Sequence, residues 1–329
     1  MAGSNHSSPT EHRSVVLEGT CSETASVESG VPQGSVLGPS LFLYYINDMP
    51  ESIKSKIRLF ADDTIMYLAI VNDADYKSLQ NDLSNLQEWE TRWKMAFHPQ
   101  KCQVLSVTKK KSTIIHDYKL HGHTLEHVKS AKYLGCTIND NMEWGEHINN
   151  ITNKANQKLK FLRRNLNVAS TTAKETAYKA IIRPSIEYAS SVWDPYKKGQ
   201  INKLEMIQRR SARFVRNNYH NRSSVTDMIA KLNWRSLEDR RKETRLTMLY
   251  KIYNEQIYFT NSSSYFIPVT RNSRQTDPET SFQLPQCRTQ YRLNSFFPRT
   301  IRDWNKLPPD IQSVGSVDAL KERLAQHCF

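Results

Sequence analysis

Hydrophobic and polar positions predict strands in the first part of the chain. Alternating residues indicate a hairpin over residues 14–27 and another over residues 58–67, and strand-like runs follow at 101–107 and 131–138. Between them, apolar residues recur every three or four positions and predict an amphipathic helix that ends at His98 and Pro99. Its stripe consists of Leu79, Leu83, Leu86, Trp89, Trp93 and Phe97. We interpret the tryptophans as core residues.

From residue 144 onward the helical period dominates. One stripe predicts a long helix and consists of Trp144, Ile148, Ile151, Ala155, Leu159, Leu162 and Leu166. Further helices are predicted at 171–183, 201–215, 237–253 and 317–324, the last capped by Ser316. The helix at 237–253 should be basic on one side, which carries Arg240, Arg241, Lys242 and Arg245. Residues 259–290 are polar and predict a long loop. The fold class is therefore α+β.

Charge is concentrated in the helical part. The formal net charge of the 329 residues is +13. Residues 1–143 hold 14 basic and 17 acidic residues, whereas residues 144–216 hold 15 basic and 5 acidic residues. Residues 217–329 hold 17 basic and 11 acidic residues. Such clustering indicates a polyanion or an acidic surface as the partner.

The remaining composition favours an intracellular protein. The five cysteines are scattered without a C-x-x-C pair, so neither a zinc knuckle nor a disulfide framework is indicated. Four histidines at positions 116, 121, 123 and 127 fit no compact ligand set, and we interpret them as exposed loop residues. No apolar run approaches a membrane span, and residues 1–10 lack the apolar core of a signal peptide. We expect a nuclear or cytoplasmic location and no membrane partner.

Asp62 and Asp63 lie at or beside the turn of the second hairpin. Adjacent carboxylates repel each other unless a cation neutralises them. Hard divalent cations suit such a pair, and paired metals stabilise both oxygens of an in-line phosphoryl displacement. The alternative is an ordinary solvent-exposed turn, because aspartate is common in turns.

A loop rich in glycine and proline precedes this hairpin. Residues 29–39 contain three glycines and two prolines, and an apolar run after Pro39 predicts a helix. Glycine allows the backbone to approach a ligand closely. Such a loop can lie flat beneath a nucleotide or a template base.

Two motifs carry a resemblance to a known family. The sequence GVPQGSVLGP at residues 30–39, followed by FADDT at residues 60–64, resembles motifs B and C of reverse transcriptases. The sequences of the two motifs are most similar to those of non-LTR retrotransposon polymerases of the jockey-like LINE type. The resemblance implies that Asp62 and Asp63 bind Mg²⁺ or Mn²⁺. It also implies that Pro32, Gln33, Gly34 and Ser35 contact the template and the incoming nucleotide.

The same resemblance extends to later segments. Lys101 matches motif D, whose lysine protonates the leaving pyrophosphate, although a solvated strand end is the equal alternative. Tyr133, Leu134 and Gly135 match motif E, the primer grip. The helices from residue 143 resemble the thumb that clamps a template–primer duplex. Its backbone contacts would be Lys154, Lys158, Arg163, Arg164, Arg209, Arg210 and Arg213. The implied partners are an RNA template, a DNA primer and dNTPs.

One expected carboxylate has no match. Motif A should supply an aspartate upstream of residue 30, yet the first aspartate of this sequence is Asp48, and the acidic residues before it are all glutamates. We therefore expect an N-terminally truncated polymerase fragment that is inactive alone. The alternatives are a non-catalytic nucleic-acid-binding remnant that uses the basic thumb, or a structural remnant. The expected organisation is a disordered leader (1–12), a partial palm (13–142), a thumb (143–220) and a C-terminal extension (221–329).

Overall fold

The computed structural model describes residues 11–14, 16–27, 34, 36–110, 115–269 and 280–327. The chain divides into two compact units, Met1–Met142 and Glu143–Phe329. The expected mixture of helices and short strands is confirmed. Within the described ranges, no helix combines the length and apolar character that crossing a membrane requires.

The first unit begins with nested strand pairs. Strand β1 (Glu11–Arg13) pairs antiparallel with β4 (Ala25–Val27), and β2 (Val16–Leu17) pairs with β3 (Thr20–Cys21) between them. The predicted first hairpin is therefore confirmed for the described residues. Helix α1 (Gly38–Ile46) follows, with Pro39 in its first turn, where a missing backbone N–H costs nothing.

Eight further strands and helix α2 make up most of the rest of this unit. Strands β5 (Lys56–Phe60) and β6 (Asp63–Tyr67) pair antiparallel, and helix α2 (Asp73–Trp93) follows them. Strand β7 (Gln103–Leu105) pairs in parallel with β10 (Glu126–Val128) around the hairpin of β8 (Lys119–Leu120) and β9 (His123–Thr124). Strand β11 (Ser130–Tyr133) pairs antiparallel with β12 (Cys136–Asn139). The described strands thus pair in twos.

Helix α2 ends earlier than the sequence predicts. The side chain of Asn72 caps its start by accepting hydrogen bonds from Ala74 and Asp75. Lys94 then adopts a left-handed conformation (φ 52°), and the helix stops at Trp93 instead of continuing to His98. Phe97 fits the three-or-four-residue spacing of the stripe but lies outside the helix. The chain reverses after Lys94, and the Phe97 ring packs near the Trp89 ring, with 6.4 Å between the two centroids.

The described part of the second unit consists of helices joined by loops, with one isolated β-bridge between Pro268 and Phe282. Its helices are α3 (Gly145–Asn165), α4 (Thr171–Ala177), α5 (Arg183–Glu187), α6 (Ser190–Trp193), α7 (Lys198–Val215), α8 (Val225–Lys231), α9 (Leu237–Tyr253), α10 (Gln290–Leu293), α11 (Phe296–Trp304), α12 (Pro309–Gln312) and α13 (Val317–Gln326). The predicted helices near 144–166, 201–215, 237–253 and 317–324 are confirmed, and Ser316 caps α13 by accepting from Ala319. Since α7 packs against α8 and α9, both expected parts of residues 143–329 share one unit, and the division near residue 220 stays a prediction.

The helix predicted at 171–183 contains an irregular turn. Residues Tyr178–Ile182 form a π-helical segment between α4 and α5, and the Arg183 amide donates to the carbonyl of Tyr178. Pro184 follows immediately and has no amide to donate. The wider turn accommodates this proline within a continuous helical rod, since π-bulges change the hydrogen-bonding step.

Helix α9 lies in the core of the second unit. Its apolar residues Leu246, Leu249 and Ile252 pack with α11 and α13. Two arginines on the predicted basic side of this helix are buried and do not lie at the surface. The side chains of Arg241 and Arg245 are 0% and 3% exposed and pair with Asp194. Helical periodicity misses such arginines because it treats every charged residue as a surface residue.

Candidate functional site

The acid pair occupies the tip of the β5–β6 hairpin, as predicted. Phe60 opposite Asp63 is the last residue pair of the ladder, and Ala61 and Asp62 form the turn. Both carboxylates belong to exposed residues. Among the described residues, neither acid forms a salt bridge. The pair is therefore open to a ligand.

The turn itself is strained. Ala61 has φ 50°, a left-handed conformation that alanine adopts at a cost of about 1–2 kcal/mol. Backbone strain of this kind is concentrated at functional sites, where the surrounding structure maintains it. Here the ladder of β5 and β6 on both sides holds the turn in place.

The hairpin is anchored by an apolar cluster and a buried acid. Ile57 of β5 packs in one cluster with Ile46 of α1 and Trp89 of α2. Asp82 of α2 is fully buried and accepts hydrogen bonds from the amides of Lys54 and Ser55, at 3.1 and 2.7 Å. These contacts fix the start of β5 on α2. Helix α1, which follows the glycine-rich loop, packs on the same cluster.

Two tryptophans of α2 contact one carboxylate. The indole N–H groups of Trp89 and Trp93 donate to the two oxygens of Asp48, at 2.8 and 2.9 Å. Trp89 is 2% exposed. The interpretation of these tryptophans as core residues is confirmed. Both oxygens of Asp48 therefore serve a structural role, which the sequence does not reveal because Asp48 and the tryptophans are far apart in the chain.

The hairpin of β11 and β12 approaches the acid pair. Burial raises the pKa of the Tyr133 phenol, and the nearby negative charge of Asp63 raises it further. Tyr133 and Asp63 therefore lie within electrostatic reach of each other. Leu134 (φ 44°) and Gly135 (φ 80°) form the two-residue turn that reverses the chain after Tyr133. The single strand expected at 131–138 is thus a hairpin, because both turn residues have positive φ.

The other predicted site residues of this unit are less connected to the acids. Lys101 is exposed at the end of the 3₁₀ turn Pro99–Lys101, just before β7 and not within a strand. Across the described ranges, no hydrogen bond or ion pair joins it to either acid. Pro32, Gln33 and Ser35 lie outside the described residues. Gly34 has φ +85°, which favours glycine, and no described atom lies within 4 Å of the position that a Cβ would occupy.

Histidines of this unit form local contacts. His121 Nε2 lies 2.6 Å from the buried carboxylate of Glu90, and His127 Nε2 lies 2.9 Å from the carbonyl of His116. The His116 ring stacks on Tyr76 at 4.1 Å. No group of three potential metal-binding side chains occurs in the part of the chain that the structure describes. The sequence does not reveal the His121–Glu90 pair, because the two residues are far apart in the chain.

The predicted backbone-contacting cations lie on α3 and α7, which pack side by side. Five are exposed, whereas Arg163 and Arg213 are half-buried. Arg163 stacks over the Tyr219 ring at 5.1 Å, and Arg213 donates to the carbonyl of His220 at 3.0 Å. Arg210 donates to Asn156 at 2.9 Å. Among described residues, none of the seven forms a salt bridge, so their positive charge is not neutralised by neighbouring carboxylates.

Comparison with known proteins agrees with the motif assignment. Residues 7–138 match the family described as reverse transcriptase (RNA-dependent DNA polymerase). The chain is 30% identical over 205 residues to the probable RNA-directed DNA polymerase from transposon BS of Drosophila melanogaster, which covers 57% of this chain and 22% of that protein. It is 29% identical over 219 residues to the RNA-directed DNA polymerase from mobile element jockey of Drosophila funebris, which covers 61% and 23%. The matched stretch therefore spans less than a quarter of these relatives.

Proposed function

Because residues 7–138 are a reverse transcriptase segment related to polymerases of jockey-type mobile elements, we propose that this chain contributes to RNA-directed DNA synthesis. In this proposal the first unit is part of a polymerase palm and α3 to α7 belong to its thumb. The observation that carries the proposal is the exposed acid hairpin, which forms no salt bridge among the described residues and has the Tyr133 phenol within electrostatic reach of Asp63. RNA template, DNA primer and dNTPs are the proposed partners.

The donor set at the hairpin tip fits a hard divalent cation. Two adjacent carboxylates offer oxygen ligands, which Mg²⁺ and Mn²⁺ prefer, and no described cation neutralises them. When bound, such ions neutralise the nucleotide triphosphate and activate the primer 3′ hydroxyl. Asp62 and Asp63 contribute the negative charge, and the strained Ala61 turn fixes their position. The hairpin of Tyr133, Leu134 and Gly135 braces the primer strand.

Two further roles in the proposal involve residues around the acids. Pro32, Gln33, Gly34 and Ser35 contact the template and the incoming nucleotide. Lys101 donates a proton to the leaving pyrophosphate, which requires it to approach the acids in the substrate complex. A solvated lysine remains the alternative for this position.

The proposal predicts that this chain alone does not incorporate nucleotides. Two-metal chemistry uses carboxylates from separate strands, and here the only aspartate before the acid pair is Asp48, which Trp89 and Trp93 engage. Primed poly(rA), dTTP and Mg²⁺ provide the assay. Template-directed incorporation that depends on Asp62 and Asp63 would overturn the inactivity and support the polymerase assignment.

Metal binding tests the acid pair directly. We expect the chain to bind Mn²⁺, measured by electron paramagnetic resonance, and the double variant Asp62→Asn, Asp63→Asn to bind it at least about tenfold more weakly. Asp117→Asn is the matched control, since Asp117 is also an exposed aspartate of the first unit. Equal Mn²⁺ affinity in all three proteins would contradict the proposal.

A non-catalytic nucleic-acid-binding function is the second candidate. The unneutralised cations of α3 and α7 favour it. Replacing Lys154, Arg164 and Arg209 with serine should lower the salt dependence of RNA–DNA duplex binding by about 3 in the slope of log K against log salt, because each lost phosphate contact removes about 0.9. Replacing the exposed Lys77, Lys119 and Lys129 of the first unit is the control. If the triple serine variant of α3 and α7 binds the RNA–DNA duplex with unchanged affinity, the assignment of these helices to a thumb is wrong.

A further inference from the structure

A buried charge cluster joins α9 and α11 to the residue that follows α6. Asp194 Oδ1 lies 2.7 Å from Arg241 Nε, and Asp194 Oδ2 lies 2.7 Å from Arg245 Nε and 3.3 Å from Arg299 Nη2. Arg245 Nη2 also pairs with Asp303 at 3.0 Å. Three guanidinium groups therefore share two carboxylates. Since arginine does not lose its proton in proteins, this excess positive charge cannot be relieved by titration.

A cavity of about 290 Å³ opens beside this cluster. Arg245 and Arg299 line it, together with Lys242 and Arg302. Tyr196 and Asn294 add a hydroxyl and an amide, and Ile201 adds an apolar side chain. The volume is at the lower end for ligand sites, which suits a small head group and excludes a duplex.

Acidic residues offset only part of the cationic charge. Glu238 and Asp303 are the carboxylates of the cavity wall. The lining carries four cations, Lys242, Arg245, Arg299 and Arg302, against these two carboxylates, a net charge of +2. A phosphate monoester carries about −1.5 to −2 near neutral pH and so balances this excess.

The cations of the cavity are held in unfavourable surroundings. Burial lowers the pKa of Arg299, and the neighbouring positive charge of Arg245 lowers it further. Burial is also the main cause that lowers the pKa of Lys242, with Arg245 again adding to the effect. An anion in the cavity would replace the lost hydration of both groups and offset their repulsion by Arg245.

Arg241 lies behind the wall of the cavity and does not line it. Its Nη1 and Nη2 atoms are buried, and no hydrogen-bond acceptor for them occurs among the described residues. Arg241 therefore adds positive charge behind the wall, while the contacts to a ligand come from the lining residues.

We propose that the cavity between α9 and α11 binds a phosphate monoester group, carried either by a free nucleotide or by the end of a nucleic-acid strand. The guanidinium groups of Arg299 and Arg302 and the ammonium group of Lys242 hold the phosphate oxygens, with Asn294 and Tyr196 as neutral donors. The site belongs to the second unit alone and does not depend on polymerase activity or on the acid pair.

Calorimetric titration of the full chain tests this site with four probes. They are inorganic phosphate, dTMP, and one oligothymidylate in 5′-phosphorylated and 5′-hydroxyl forms. We expect binding of phosphate and dTMP, and tighter binding of the phosphorylated oligonucleotide than of its hydroxyl counterpart if a strand end is the ligand. Equal affinity of the two oligonucleotides, with dTMP bound, would assign the site to free nucleotides.

Variants separate the cavity from general electrostatic attraction. Arg302→Gln and Lys242→Gln should each weaken dTMP binding about tenfold, because each removes a charge-assisted hydrogen bond. Arg323→Gln is the control, since Arg323 lies on α13 in an exposed pair with Asp310. Circular dichroism and thermal melting verify that each variant folds. Failure of phosphate and dTMP to bind, or equal weakening by all three variants, would overturn the proposal.

Discussion

The Asp63 carboxylate lies within electrostatic reach of the Tyr133 phenol, although the two residues belong to different hairpins. This relationship connects the acid pair with the segment that resembles a primer grip. It also makes the phenol a reporter of charge at the acid pair.

Removing the charge of Asp63 should change the titration of Tyr133. Burial is the main cause of the raised phenol pKa and Asp63 is the second, so Asp63→Asn should lower this pKa part of the way toward its usual value. Nuclear magnetic resonance of a ¹³C-labelled tyrosine ring measures the shift. Asp62→Asn is the comparison and should have the smaller effect. An unchanged Tyr133 pKa in Asp63→Asn would show that the two hairpins do not interact electrostatically.

Asp48 should stabilise the first unit through its two indole contacts. Asp48→Ala leaves the Trp89 and Trp93 N–H groups without their acceptor, which should reduce the stability of α2 by about 2–3 kcal/mol. Hydrogen exchange of the α2 amides measures this loss locally. Asp117→Ala, at an exposed position, should change exchange by no more than about 0.5 kcal/mol. Equal protection in both variants would show that the indole contacts contribute little.

Asp194 should be among the most sensitive positions of the second unit. Asp194→Asn leaves buried guanidinium groups without a compensating charge, and breaking a buried ion pair in this way costs about 3–5 kcal/mol. Urea unfolding measures the change. Asp318→Asn is the matched control, because Asp318 is 94% exposed and its pair with Lys321 should contribute at most about 1 kcal/mol. Similar midpoints for the two variants would contradict the buried cluster.

Two glutamates should affect stability with opposite dependence on pH. Burial raises the pKa of Glu205, so the stability linked to this group is present below its unfolded pKa and is lost as pH rises through the folded value. Glu205→Gln should therefore gain stability relative to the parent protein as pH rises from the usual glutamate pKa of about 4.3 toward neutral pH. The Glu205 carboxylate accepts from the Glu238 amide at 2.9 Å, a contact that glutamine can retain.

Glu175 provides the opposite case. Hydrogen bonds from Lys179 and Trp234 lower its pKa, so its contribution is present above the unfolded pKa and is lost as pH falls through the folded value. Glu175→Gln should be less stable than the parent near pH 7, and the difference should shrink toward acidic pH. Melting temperatures of both variants across this pH range measure the two trends. Trends of the same sign would contradict the assignment of the two pKa shifts.

Sequence patterns predict local elements well where periodicity and turn residues agree. The acid hairpin and helix α3 follow directly from alternation and from the i, i+3, i+4 stripe. The end of α2 could not be predicted, because Phe97 keeps the helical spacing while Lys94 leaves the helix. The turn at Leu134 could not be predicted either, since leucine rarely adopts positive φ.

Tertiary contacts limit what the sequence reveals about the candidate site. The proximity of Asp63 and Tyr133 and the engagement of Asp48 by Trp89 join residues distant in sequence. The burial of Arg241 also depends on a partner, Asp194, from another segment. Residue type and spacing identify the acids and the basic helices, but they do not identify which charges are paired.

The π-helical turn at Tyr178–Ile182 holds about one residue more than a regular α-helical turn. Deleting a single position within this turn would restore regular winding and leave the face that carries the fully buried Ile186 directed toward the interior. The cost of that deletion would fall on Pro184, whose ring would then meet the carbonyl four residues earlier. A one-residue deletion within α9 would instead rotate every later side chain of that helix by about 100°.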